Sequence, residues 1–129
     1  MAYGRPWVAV YGAFSDYPRA SLQFTLGARP RGEATLTIVG LDDELAAQNQ
    51  FALEINGDVV YMGTSPFPNW DGIGDGRDAA WTPIAFRIPS GLLRAGENEI
   101  AVANLTPAAE FNAPPYILLS EARLDFPGR

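Results

Sequence analysis

Between Tyr61 and Trp81 the chain gathers flat rings and planar polar groups in one stretch. Tyr61, Phe67, Trp70 and Trp81 supply the rings; Asn69, Asp71, Asp75, Arg77 and Asp78 supply the polar groups. An aromatic face stacks on the apolar C–H patch of a pyranose ring, while amide, carboxylate and guanidinium groups bond its hydroxyls directionally. That pairing is the chemistry of carbohydrate recognition, and these nine side chains are its candidate ligand contacts. The competing expectation is that Trp70 and Trp81 pack down on a sheet edge and anchor the loop, so both stand open. A second aromatic pair, Phe111 and Tyr116, brackets Asn112-Ala113-Pro114-Pro115 in another loop. Trp7, Tyr11, Phe14 and Tyr17 are expected in core or edge packing.

Catalytic chemistry finds little purchase. The chain has no His and no Cys, and all nine of its basic residues are Arg. The commonest general base, the best nucleophile and the Schiff-base amine are therefore missing together. A carboxylate pair could still serve glycoside hydrolysis. However, the 15 acidic residues fall mostly in loops or at outward strand positions, where solvated charges normally sit, and no spacing singles out a pair. There is no G-x-S-x-G elbow either. The chain is therefore expected not to be an enzyme.

Asp71, Asp75, Gly76 and Asp78 partly imitate an EF-hand loop, but the third position would be Ile73 and the twelfth Thr82, neither suited to its role. No cofactor is expected beyond an optional structural calcium held by these carboxylates and backbone carbonyls, with Asp125 as a weaker candidate. Asn104-Leu105-Thr106 spells a glycosylation sequon, disfavoured by Pro107.

The elements positioning these residues are short strands. At 129 residues the chain fits one domain, expected over 1–129, with a core large enough to fold without disulfides. Thirteen Gly and 11 Pro, mostly between apolar runs, are the punctuation of an all-β fold. Strands are expected over 7–14, 21–26, 33–39, 51–55, 58–62, 82–88, 99–105 and 116–126. Period-2 alternation turns Leu22, Phe24, Leu26, Ala34, Leu36, Ile38, Ile84, Phe86 and Ile88 inward. In the 116–126 strand, Leu118, Ala122, Leu124 and Phe126 alternate with Glu121, Arg123 and Asp125. Asn56-Gly57 accommodates the positive φ of a type I′ hairpin. A two-residue loop there pairs Leu53 with Val60 and Phe51 with Met62. It places Val60 and Met62 on the core face and leaves Tyr61 partly exposed. Residues 41–50 would form a short helix or an ordered loop. About eight antiparallel strands in two face-to-face sheets follow.

The succession EINGDVV, a loop, then FRIPSGLLRAGENEIAVANL resembles the galactose-binding-like jelly-roll superfamily, which includes many carbohydrate-binding modules. The carriers are Ile55, Asn56, Gly57, Ile88, Pro89, Leu92, Leu93, Gly96, Asn98, Ile100 and Val102, and YILLSEARLDF resembles the last core strand. The resemblance spans roughly residues 33–126 and implies an all-β, galactose-binding-like jelly-roll β-sandwich. Its residues are scaffold: a hairpin, an end cover of Leu92 and Leu93, and an Asn98 that satisfies backbone groups.

The net charge of −6, with the arginines scattered, argues against nucleic acid and anionic membranes as partners. No apolar run nears the roughly 20 residues of a membrane span, so no membrane insertion is expected. The start lacks the basic-then-apolar layout of a leader. An extracellular module excised from a longer chain is preferred to a cytoplasmic protein. The expected partner is a poly- or oligosaccharide, with neighbouring domains of a parent protein alongside. The alternative is a structural or protein-interaction sandwich without a sugar ligand.

Overall fold

In a computed structural model, residues 8–42, 49–68, 81–108 and 116–126 are described. They form β1 (Val8–Tyr11), β2 (Arg19–Leu26), β3 (Ala34–Asp42), β4 (Gln50–Ile55), β5 (Asp58–Thr64), β6 (Thr82–Ile88), β7 (Gly96–Asn104) and β8 (Tyr116–Asp125). Two four-stranded antiparallel sheets result, ordered β1-β8-β3-β6 and β2-β7-β4-β5. Each expected strand is present, and Leu41 and Asp42 extend β3; residues 43–48 of the expected helix or loop lie outside the described residues.

Alternation explains the core. Ala34, Leu36 and Ile38 on β3 and Phe86 and Ile88 on β6 face Phe51, Leu53 and Ile55 on β4 and Ile100 and Val102 on β7, all buried. Phe51 sits at the centre, its ring 5.6 Å from both Tyr61 and Phe67 and 6.0 Å from Phe86. Edge-to-face contacts such as Phe51–Phe67, at 88°, set the ring quadrupoles favourably and add to the area effect.

Two bulges correct the simple alternation. The hairpin opens as expected, Ile55 opposite Asp58 and Glu54 opposite Val59, but Leu53 then faces Tyr61 and leaves Val60 unopposed. One extra residue reverses the faces beyond it. Tyr61 therefore turns inward, where its ring packs on Phe51 and on Phe86 at 5.6 Å, and Met62 turns outward, 62% exposed. The same slip on β8 leaves Ser120 unopposed, between Val39–Glu121 and Gly40–Leu119.

Leu22 is also more open than alternation suggests, at 50% exposure. It faces the gap between the sheets. A cleft of about 260 Å³ remains there, lined by Val8, Leu22, Ile38, Ile100, Leu119 and Ala122 among others. Ala122 is correspondingly exposed.

At the hairpin end, Asn56 takes φ 52° and Gly57 φ 88°, the left-handed pair that the turn demands. The Asn56 side chain reaches further. Its Nδ2 donates to Leu92 O (2.8 Å) and Asn98 Oδ1 (2.9 Å), and its Oδ1 accepts from Glu99 N (2.8 Å). Asn98, 2% exposed, accepts from Arg94 N and donates to Arg94 O and Gly96 O, which confirms its role as a satisfier of backbone groups. Asn56→Ala should cost about 1–3 kcal/mol through the orphaned partners, measured by urea denaturation.

Candidate functional site

Strand direction gathers the long connections at one end. Tyr11 lies opposite Tyr116, Asp42 opposite Ile117, Gly40 opposite Thr82, Gln50 opposite Thr64 and Phe51 opposite Asn104. The chain therefore leaves β1, β3, β5 and β7, and enters β2, β4, β6 and β8, at the same end. The Tyr61–Trp81 stretch and the 105–115 stretch both depart from it, so the two aromatic loops spring from a common platform. The hairpin, 27–33 and 89–95 connections occupy the other end.

The stems of these connections are bonded to one another. Ala13 N donates to Thr106 O (2.7 Å) and Phe14 N to Ala108 O (2.9 Å), seating the β1–β2 turn on the start of the β7–β8 connection. Asp42 N donates to Pro68 O (2.9 Å), Ser65 N to Asn49 O (2.8 Å) and Leu105 N to Gln50 O (2.8 Å). Beneath them lies a buried polar layer of Asp42, Asn49, Ser65 and Asn104. No buried side-chain N or O among the described residues lacks a partner, as a rigid polar layer requires.

On this platform stand rings that sequence reasoning misplaced. Phe14 is 72% and Tyr17 57% exposed, where core or edge packing was expected; only Tyr11 of the described early aromatics is buried. The cause is the turn: β1 ends at Tyr11, and Tyr17 N donates to Ser15 Oγ (3.2 Å) while its carbonyl accepts from Tyr11 N (2.9 Å). The turn thus lifts these side chains off the sheet. Two exposed rings within a closed turn were the missing signal, and neither spacing nor alternation carries it. Tyr116 is half-buried, edge-on to Tyr11 at 6.1 Å.

No protein-family model matches the chain, and no curated protein matches it by sequence. Solved structures do. A family 35 carbohydrate-binding module from an environmental isolate superposes with a TM-score of 0.56 at 17% identity, over 88% of this chain and 71% of that one. The C-terminal domain of EclA, described as a sugar-binding protein, gives 0.55 at 14% identity over 94% and 78%. A family 35 carbohydrate-binding module from Clostridium thermocellum gives 0.53 at 17% over 89% and 74%. The fold is a jelly-roll β-sandwich, an architecture shared with these structures. Strand count, antiparallel pairing and the scaffold residues of the resemblance agree with it.

Within this jelly roll the nine expected contacts divide. Trp81 immediately precedes β6 at the platform and is partly exposed. Tyr61 is half-buried on the core, with its hydroxyl donating to the Thr64 carbonyl. Phe67 corrects the expectation: it is fully buried against Phe51, and its ring approaches Gly40 so closely that a Cβ there would lie 3.1 Å away. It is the core anchor of its loop. Asn69, Trp70, Asp71, Asp75, Arg77 and Asp78 lie outside the described residues, as does Phe111.

Among the described residues no group of three or more His, Cys, Asp or Glu could hold a metal. Asp125, the weaker calcium candidate, is instead paired with Arg123 at 3.0 Å on the exposed face of β8. The sequon is used structurally. Asn104 is 1% exposed, and its Nδ2 donates to Val10 O (3.2 Å) and Asn49 Oδ1 (3.0 Å). Glu33 has its carboxyl held below the usual range first by the Arg87 hydrogen bond, which a smaller desolvation opposes, and least by the Arg87 charge. Its depressed pKa implies stability present above the unfolded pKa and lost as pH falls through the folded one. Arg87→Gln should return the Glu33 titration, followed by NMR, towards the ordinary glutamate value.

Proposed function

We propose that this chain is a non-catalytic carbohydrate-binding module, working outside the cell as an accessory domain of a larger polysaccharide-active or surface protein, with its ligand end at the platform. The observation that carries this reading is the pair of exposed rings, Phe14 and Tyr17, on a hydrogen-bonded turn at one end of the sandwich, with the partly exposed Trp81 at the start of β6 at the same end. A rigid aromatic loses little entropy on stacking, so a pre-bonded turn is a better sugar platform than a loose loop. The sugar-binding descriptions of the neighbours support the same ligand class. The ends of β1 and β6 are separated by three interstrand spacings, roughly 14 Å, which suits a chain of sugar rings. Asn69, Asp71, Asp75, Arg77 and Asp78 would bond hydroxyls, and Trp70 would add a further ring.

Absence of His, Cys and Lys supports binding without turnover. Affinity gels cast with xylan, mannan, galactan or pectin test the proposal. Wild type should be retarded in at least one gel, and Trp70→Ala and Trp81→Ala should lose about tenfold or more in affinity with their circular dichroism unchanged. No retardation across the panel would overturn the reading.

A further inference from the structure

Asn49 is 1% exposed and lies just before β4. Its side-chain amide is used to capacity, with two donor and two acceptor sites all engaged. Nδ2 donates to Asp42 Oδ1, at the end of β3, and to Tyr116 O (3.1 Å), at the start of β8. Oδ1 accepts from Asn104 Nδ2 (3.0 Å), at the end of β7, and from Thr106 Oγ1 (3.0 Å), in the next connection. Its backbone joins in: Asn49 N donates to Asp42 Oδ2 (3.2 Å), and its carbonyl accepts from Ser65 N (2.8 Å) in the β5–β6 connection. The β1–β2 turn is one step away, since Asn104 holds Val10 O through Nδ2 and Pro18 O through its backbone N–H (2.9 Å).

We infer that Asn49 is the positioning residue of the ligand end: its side chain ties the β3–β4 and β7–β8 connections, its carbonyl the β5–β6 connection and its partner Asn104 the β1–β2 turn, so that the four stems are ordered together. This rests on the reading of that end as the ligand end. Few side chains could replace it. Aspartate would turn the Nδ2 donors into oxygens facing the Asp42 carboxylate and the Tyr116 carbonyl. Glutamine would be too long, and an aliphatic residue would strand Asp42, Asn104 and Thr106 at once. A satisfied polar network fixes one arrangement where an apolar filling would tolerate several. Asn49 itself need touch no sugar: through Asn104 it sets where the turn carrying Phe14 and Tyr17 stands.

The test compares Asn49→Ala with Asn56→Ala, which breaks a comparable amide network at the opposite end, and adds the gentler Thr106→Val. Hydrogen exchange is read at the amides of Ala13, Phe14, Gln50, Ser65 and Leu105. In Asn49→Ala all five should exchange about tenfold or more faster than in Asn56→Ala, roughly the loss of one net hydrogen bond spread across the stems. Affinity in whichever xylan, mannan, galactan or pectin gel retards wild type should fall by a similar factor, at a temperature where both variants are folded. Thr106→Val also removes the acceptor of the Gln50 N–H (2.8 Å), so beyond that amide it should speed Ala13, Phe14, Ser65 and Leu105 to a smaller degree, and it decides the matter if Asn49→Ala does not fold. Faster exchange at Ser65 alone, with Ala13 and Phe14 as in Asn56→Ala, would overturn the positioning role. If no gel retards wild type, the carbohydrate reading fails, and the exchange pattern still accepts or rejects the coupling.

Discussion

Phe51→Ala should lower the stability of the protein by about 3–5 kcal/mol, a large part of what a domain of this size possesses. Phe51 has no exposed surface and touches three other rings, one on β5, one on β6 and one in the β5–β6 connection. Truncation removes its transfer energy and leaves a cavity that these rings cannot fill, because Tyr61 and Phe86 sit on paired strands and Phe67 is pinned beside Gly40. Phe51→Leu, which retains much of the volume, should cost clearly less. Urea denaturation gives both values. A loss under about 1 kcal/mol for the alanine variant would mean that the cluster is not the keystone of the core.

Gly12→Val is expected to have the largest effect at the ligand end. A Cβ at Gly12 would lie 2.5 Å from Ala108 O and 2.8 Å from Ala108 Cβ, and the first of these is backbone, which cannot rotate away. The β1–β2 turn and the β7–β8 connection must part, which breaks the Ala13–Thr106 and Phe14–Ala108 bonds. Overpacking together with the broken bonds amounts to about 2–4 kcal/mol. Because Phe14 and Tyr17 ride on the displaced turn, glycan retardation should fall along with stability. Thermal denaturation and affinity gels on the same sample would show this. Unchanged values in both would mean that the turn does not rest on the connection.

The architecture was legible because alternation and turn chemistry are local. β6 spans Thr82–Ile88 as read, and Asn56-Gly57 turns where its dihedral preference requires. What escaped is what depends on a distant partner. Nothing in FALEINGDVVYM signals that Val60 is bulged, yet that one residue decides that Tyr61 enters the core and Met62 leaves it. Phe67 reads as a loop aromatic because the sequence does not show that it meets Phe51 and Gly40. Phe14 and Tyr17 read as core or edge packing because apolar rings usually pack, and only the turn geometry exposes them. Asn49 was invisible: its five partners are spread between residues 42 and 116, and no spacing along the chain announces such a hub.

Backbone amide shifts of wild type, titrated with soluble fragments of the polysaccharide that retards it, test most directly where the ligand sits. Shifts are expected at residues 12–18, 64–68, 81–82 and 105–108, with the Asn56–Asn98 end and the outer faces of the sheets left unchanged. Shifts centred on those faces or on the hairpin end, with the amides around Phe14, Tyr17 and Trp81 silent, would contradict this placement of the ligand.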